Sequence, residues 1–179
     1  MLQKYFIAIV PPEPVLQSIT ELKESICKNY GTKGALRSPA HVTLHMPFSW
    51  EEEKEERLFS ALQTFRYSNS IAIELNGFNC FEPRVVFVNV KHNNELMALQ
   101  TQLVKCCKQQ LHLFNQAEDL RGFHPHITVA FRDLKKPLFY KLWKDYQHKP
   151  FEATFNCNSF FLMKQVGEKW EAYKEFLFF

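Results

Sequence analysis

Twice in this chain, at positions 41 and 126, a histidine, an aliphatic residue, a threonine and another aliphatic residue follow one another: His41-Val42-Thr43-Leu44 and His126-Ile127-Thr128-Val129. Alternation of this kind suits an extended strand, on which residues i and i+2 project to the same side. Each copy therefore sends one imidazole and one hydroxyl to one face and two aliphatic side chains to the other. With 7 His in 179 residues, chance supplies roughly 0.06 such motifs, and two are far rarer. The repetition constrains the chain to halves that place equivalent strands in equivalent positions.

The surrounding pattern repeats as well. Tyr5–Val10 alternates aromatic and aliphatic residues and predicts a strand. After Pro11-Pro12, the spacing of Val15, Ile19, Leu22 and Ile26 predicts a helix that ends in the loop Gly31–Gly34. His41–Met46 is the first histidine strand, with His41, Thr43 and His45 on one face. Ser49-Trp50-Glu51-Glu52 has the form of a capping box, and predicts a helix that buries Leu58, Leu62 and Phe65. Ile71, Ile73 and Leu75 mark a third strand.

The second half runs through a strand at Val85–Val90, a helical stripe of Leu96, Leu99, Leu103 and Cys106, and a polar loop at Glu118–Phe123. The second histidine strand follows, with His126, Thr128, Ala130 and Arg132 on one face. A helix from Pro137, a long strand from Phe151 and a last strand over Trp170–Phe178 complete the order, with a hairpin turn at Val166-Gly167-Glu168-Lys169. Asn76-Gly77 and Glu82-Pro83 read as turns rather than as a tether. The expected architecture is a single bilobal α+β domain over residues 1–179, with one motif in 1–83, the other in 84–179, and a pseudo-twofold relation that sets the two histidine strands face to face across a cleft.

Composition narrows the function. Hydrophobic residues at 46% and charged residues at 23% exclude wholesale disorder. No run approaches the ~20 apolar residues of a membrane span, and the first apolar run stops at Pro11-Pro12, too short for a secretory signal. Five cysteines with no C-x-x-C pair predict free thiols in a reducing cytoplasm rather than disulfides or a zinc site. The net charge of +3 is too small for a duplex-binding protein. It is uneven, however: 8 Lys/Arg against 10 Asp/Glu through Glu82 give −2, and 14 against 9 from Pro83 onward give +5. The segment Lys135–Lys144 mixes cations with aromatics, and reads either as a phosphate-facing surface or as a helix with a solvated basic face.

Two imidazoles and two hydroxyls converging on one space suit a phosphodiester. The hydroxyls can donate to the non-bridging oxygens. One neutral imidazole can take a proton from the attacking water, and the other, protonated, can give one to the leaving oxygen. Neither a metal nor a cofactor is required. His124-Pro125-His126 has an i, i+2 spacing that a metal could use, but further ligands are not evident. His45 reads either as the edge of the cleft or as filler. Arg132 offers a phosphate contact or an ion pair with Asp133, Arg84 reads as support for the turn after Pro83, and Phe6, Phe87, Phe155 and Phe160 are open to core packing or base stacking.

At these residues, and at Tyr5–Pro12, Pro83–Phe87 and Pro125–Thr128, the chain resembles the two-histidine (2H) phosphoesterase superfamily, in particular its bacterial branch of 2′-5′ RNA ligases and RNA 2′,3′-cyclic phosphodiesterases. The resemblance implies two antiparallel sheets that form a central cleft with helices outside and strands exchanged between lobes. It also implies metal-independent action on 2′,3′-cyclic phosphate ends of RNA or nucleotides, giving the 2′-phosphate. His41, Thr43, His126 and Thr128 are the implied catalytic residues, with His126 as base toward water, His41 as acid, and Arg132 a candidate for substrate binding. Alternatives within the resemblance are 2′-5′ ligation or 2′-5′ oligonucleotide cleavage, and nucleotide binding without turnover. The implied partners are RNA ends or small cyclic or 2′-5′ nucleotides, approached by a cytoplasmic monomer without a membrane.

Overall fold

The computed structural model describes residues 1–115 and 122–179. Its elements are β1 (Leu2–Ile9), α1 (Val15–Tyr30), β2 (Val42–Glu51), α2 (Glu55–Thr64), β3 (Ile71–Phe81), β4 (Val85–Val90), α3 (Asn94–Leu111), β5 (His126–Ala130), α4 (Lys136–Tyr146), β6 (Glu152–Cys157), β7 (Ser159–Val166) and β8 (Lys169–Leu177), with 3₁₀ turns at Gly34–Arg37 and Glu52–Lys54. They form an α+β fold with two four-stranded antiparallel sheets, ordered β2-β1-β7-β8 and β5-β4-β3-β6. Each sheet carries one histidine strand at an edge, beside the opening strand of the same half of the chain. The strand β3 lies in the second sheet and the hairpin β7–β8 in the first. Likewise α1 packs against β5 and α3 against β2.

Alternation on four strands divides the molecule into a core face and a cleft face. Tyr5, Ile7 and Ile9 of β1, Val42 and Leu44 of β2, Val86 and Val88 of β4, and Ile127 and Val129 of β5 all join one continuous core. Phe6 and Ala8 of β1 point the other way, and with Met163 form a small separate cluster against Trp170. Helical stripes cover the core faces: Val15, Ile19 and Ile26 from α1, Leu58, Phe59 and Leu62 from α2, Leu96, Leu99, Leu103 and Cys107 from α3, Phe139 and Leu142 from α4. The α3 stripe thus closes on Cys107, four residues after Leu103, and leaves Cys106 half-buried. The left-handed Gly31 ends α1 (φ 74°), and the Asn93 side chain caps α3 by accepting from the Leu96 N–H at 3.0 Å.

Several local expectations change. Ser49–Glu51 opens no helix: β2 continues through these residues, paired with Leu2–Lys4 of β1, and α2 starts at Glu55 without a side-chain cap. Pairing to a ready strand outweighs a local capping pattern. Asn76-Gly77 is not a turn but lies inside β3, where Gly77 at φ 63° accompanies a shift of register between Leu75 and Phe78. The long strand from Phe151 is two strands, β6 in one sheet and β7 in the other, separated at Asn158. The turns at Glu82-Pro83 and at Gly167-Glu168 are present, and Arg84 closes the first through its N–H to the Phe81 carbonyl at 3.0 Å. The polar loop at Glu118–Phe123 falls mostly outside the described residues. Among the described residues no helix is long and apolar enough to cross a membrane, and all five cysteines are free thiols.

Candidate active site

The edge strands β2 and β5 come together with their cleft faces on one cavity of about 330 Å³, lined by His41, Thr43, His126 and Thr128. The two sides are built alike. The Phe6 ring, from the strand beside β2, lies against His41 at 4.9 Å and 48°, and Phe87, from the strand beside β5, lies against His126 at 4.7 Å and 49°. The His41 Nδ1 sits 2.8 Å from the Pro39 carbonyl oxygen and the His126 Nδ1 2.7 Å from the His124 carbonyl oxygen, two residues back in both cases. A carbonyl only accepts, so each Nδ1 carries the proton that it donates. Each ring therefore keeps Nε2 for chemistry: a base when the ring is neutral, an acid when it is charged.

Burial decides which state the free site holds. It pulls the His41 imidazolium down to about 4, and the charges of Lys23 and His126 add to the effect against the opposing bond to Pro39. Burial also lowers His126, with His124 adding and the bond to the His124 carbonyl opposing. Both imidazoles are therefore neutral near pH 7. Among the described residues the cavity wall carries two guanidiniums, Arg37 and Arg132, and no carboxylate. Its chemistry is that of a receptor for an anion, with two proton-transfer groups and two hydroxyl donors around it.

Arg132 reaches the cavity by an unexpected route. The strand β5 ends at Ala130, which lies in the main core rather than on the His126 face. A register shift between Val86 and Phe87 of the neighbouring strand breaks the alternation there. Arg132 then takes a left-handed backbone (φ 69°) within a tight turn closed by the Asp133 N–H to the Phe131 carbonyl at 3.0 Å. The Asp133 carboxylate does not pair with Arg132. It accepts from the Thr32 hydroxyl at 2.5 Å, the Lys33 N–H at 2.6 Å and the Gly34 N–H at 3.1 Å. This latch ties the loop after α1 to the end of β5. Gly34 makes the approach possible, since a Cβ there would collide with the Phe131 carbonyl oxygen.

Other sequence candidates lie elsewhere. His45 leaves the cleft face because the β1–β2 register skips Leu44. It is buried, edge-on to Phe48 at 5.4 Å. His124 is exposed beside Phe81 and His126, and among the described residues no three His, Cys, Asp or Glu gather as a cation site. Phe155 and Phe160 belong to the main core. The Lys135–Lys144 segment lines no part of the cavity, and α4 buries Phe139 and Leu142 instead.

Sequence reasoning missed Arg37, Phe81 and Trp170, which line the cavity from a 3₁₀ turn, the end of β3 and β8. Trp170 packs edge-on to Phe6 at 4.7 Å and Phe81 against Phe87 at 4.7 Å, so a second aromatic ring stands behind each histidine–phenylalanine pair. It also missed Lys23. This lysine sits in the α1 stripe four residues after Ile19 and is 3% exposed. A cation at an apolar stripe position was the available signal.

Comparison with known proteins places these features in a family. The model of the 2′-5′ RNA ligase superfamily matches residues 11–169. The "Putative phosphoesterase" of Geobacillus kaustophilus is 27% identical over 180 residues, 97% of this chain and 95% of that protein. Among solved structures, TT0787 of Thermus thermophilus superposes with a TM-score of 0.69 at 19% identity over 97% of both chains. E. coli LigT complexed with 3′-AMP superposes with a TM-score of 0.67 at 19% identity over 99% of both chains.

Proposed function

This chain belongs to the 2′-5′ RNA ligase superfamily, and from that premise we propose that it hydrolyses 2′,3′-cyclic phosphates on RNA ends or nucleotides to the 2′-phosphate, without a metal, by proton transfer between His41 and His126. In this reading water attacks phosphorus while the His126 Nε2 takes its proton. The bond from phosphorus to the 3′ oxygen breaks, and the His41 Nε2 protonates that oxygen, leaving a 3′ hydroxyl and a 2′-phosphate. The Thr43 and Thr128 hydroxyls donate to the non-bridging oxygens, and Arg132 neutralises phosphate charge. The carrying observation is the matched pair: two imidazoles on one cavity, each with Nδ1 tied to the carbonyl two residues back.

E. coli LigT, a structural relative, is complexed with 3′-AMP, which supports a nucleotide as the ligand class. Because the two sides of the cavity are built alike, the reverse direction exchanges the histidine roles, and ligation to a 2′-5′ linkage is the second reading. Five free thiols fit a reducing cytoplasm, and one chain supplies both motifs, so a monomer acting as one bilobal unit suffices.

The test is a panel of 2′,3′-cyclic mononucleotides, a cyclic-phosphate-ended RNA and 2′-5′ diadenosine, with and without a chelator. Turnover of the cyclic esters that survives chelation and is abolished in His41→Ala and in His126→Ala is expected. Chelator-sensitive turnover, tight binding without turnover, or a single-histidine variant that keeps most activity would each overturn the reading.

A further inference from the structure

The segment Leu36–Pro39 separates the catalytic cavity from a second groove of about 310 Å³. Arg37, Ser38 and Trp170 line both, so the two spaces share a wall. The far side of the groove is α1, through Gln17, Thr20 and Lys23, and its rim includes Lys169 at the start of β8. Its volume is close to that of the catalytic cavity, about 330 Å³.

Lys23 makes the groove unusual. A lysine only 3% exposed is rare without an anionic partner. Its ammonium has three N–H donors, and the one acceptor in reach among the described residues is the Ser38 carbonyl at 3.1 Å. Burial without a counter-charge drags its acidity to about 8. Arg37 and Lys169 add two cations. Arg37 holds Glu168 at 3.6 Å across an exposed surface, and Glu13 lies on the groove wall. Among the described residues three cations against these two acids leave the groove one positive charge in excess, with the buried amine short of acceptors. A phosphodiester monoanion supplies both what the amine lacks and the charge the groove lacks.

The substrate of the proposed reaction ends in its cyclic phosphate. The rest of an RNA chain leaves the terminal ribose through a single internucleotide phosphate on its 5′ oxygen. We infer that the groove behind Ser38 is the subsite for that internucleotide phosphate and the nucleoside it carries, so that the enzyme takes RNA ends in preference to mononucleotides. The inference rests on the proposed cyclic-phosphate reaction and assigns the adjoining space to the penultimate nucleotide. Lys23 and Lys169 meet the phosphate, and the exposed Gln17 and half-buried Thr20 border the nucleoside.

The experiment compares kcat/KM for cytidine 2′,3′-cyclic phosphate with that for a dinucleotide ending in the same cyclic cytidine, in the wild type, Lys169→Glu and Gln17→Trp. Both substitutions are at exposed positions outside the catalytic cavity. One set of charge-assisted contacts should favour the dinucleotide by roughly tenfold, more at low salt. Lys169→Glu should remove most of that advantage by charge and Gln17→Trp by filling the groove, with mononucleotide turnover unchanged in both. Equal kcat/KM for the two substrates in the wild type, or an advantage that both variants retain, overturns the subsite while leaving the reaction standing. Turnover of neither substrate overturns the reaction and the subsite together.

Discussion

Asp133→Ala should loosen the site from a position that touches no substrate. Its carboxylate accepts three hydrogen bonds from Thr32, Lys33 and Gly34, two of them at 2.5 and 2.6 Å. Burial opposes its ionisation, but these bonds outweigh the burial and hold the carboxyl below its ordinary value of 3.8. Bonds to a charged acceptor contribute about 1.5–3 kcal/mol each when buried; Asp133 is exposed, and screening reduces the set to about 2 kcal/mol in total. With a urea slope of about 2 kcal/mol/M, the unfolding midpoint should fall by about 1 M.

The sign of the pH dependence follows from the direction of the shift. A carboxyl with a lowered folded pKa stabilises the protein above its ordinary pKa and loses that contribution as pH falls through the folded value. The gap between wild type and variant should therefore be full at pH 7 and close below about pH 4. Activity reports the second consequence. The latch fixes the loop that runs on to Arg37 and Ser38 and borders the strained Arg132, so kcat/KM should drop by about tenfold or more as these residues lose register. An Asp133→Ala protein with an unchanged urea midpoint and unchanged kcat/KM would refute the latch.

Three further outcomes follow from the site. Since both free imidazoles are held below the ordinary histidine value, the form with one ring charged and one neutral is most populated on the acid side of neutrality. The optimum of kcat/KM should lie below pH 6.5, and Lys23→Met, which removes a cation beside His41, should move the acidic limb upward; an optimum at pH 8 would contradict this. A phosphodiester with a 4-nitrophenolate leaving group needs little protonation, so His41→Ala should retain far more of its activity on that substrate than His126→Ala does, and equal losses would reject the assignment of acid and base. Thr43→Val and Thr128→Val keep shape but remove a donor, and each should cost about 10²-fold in kcat with the circular dichroism spectrum unchanged.

The motif strands, the core faces and the helical stripes were legible because each rests on a short-range period, two residues for a strand and 3.6 for a helix. What the sequence hid depends on pairing between distant segments. The bulge that turns His45 into the core is set by the register of β1 against β2, and the capping pattern at Ser49 is overridden because Leu2–Lys4 supply a partner strand for the same residues. Arg132 lines the cavity although the strand alternation that would put it on the His126 face fails at Ala130: a left-handed turn brings the residue back. The Asp133 latch joins residues about 100 positions apart, and neither side carries a local signal.

The anchoring of both rings through Nδ1 has a consequence for how charge is handled. The bond from Nδ1–H to a carbonyl is made by the neutral ring and by the charged ring alike, so protonation changes only Nε2 and requires no ring rotation. Burial disfavours the imidazolium at both rings, and at His41 the charge of Lys23 adds to it. An entering phosphate monoanion reverses that balance, because its charge stabilises a proton on whichever Nε2 faces it. In the proposed reaction the acid is thus charged by the substrate that it protonates, and the partner ring, repelled by the new imidazolium, stays neutral as the base. In that reading two identical side chains with the same Nδ1 anchor acquire opposite roles from one bound anion, so that a matched pair of motifs suffices where unlike catalytic residues would otherwise be needed.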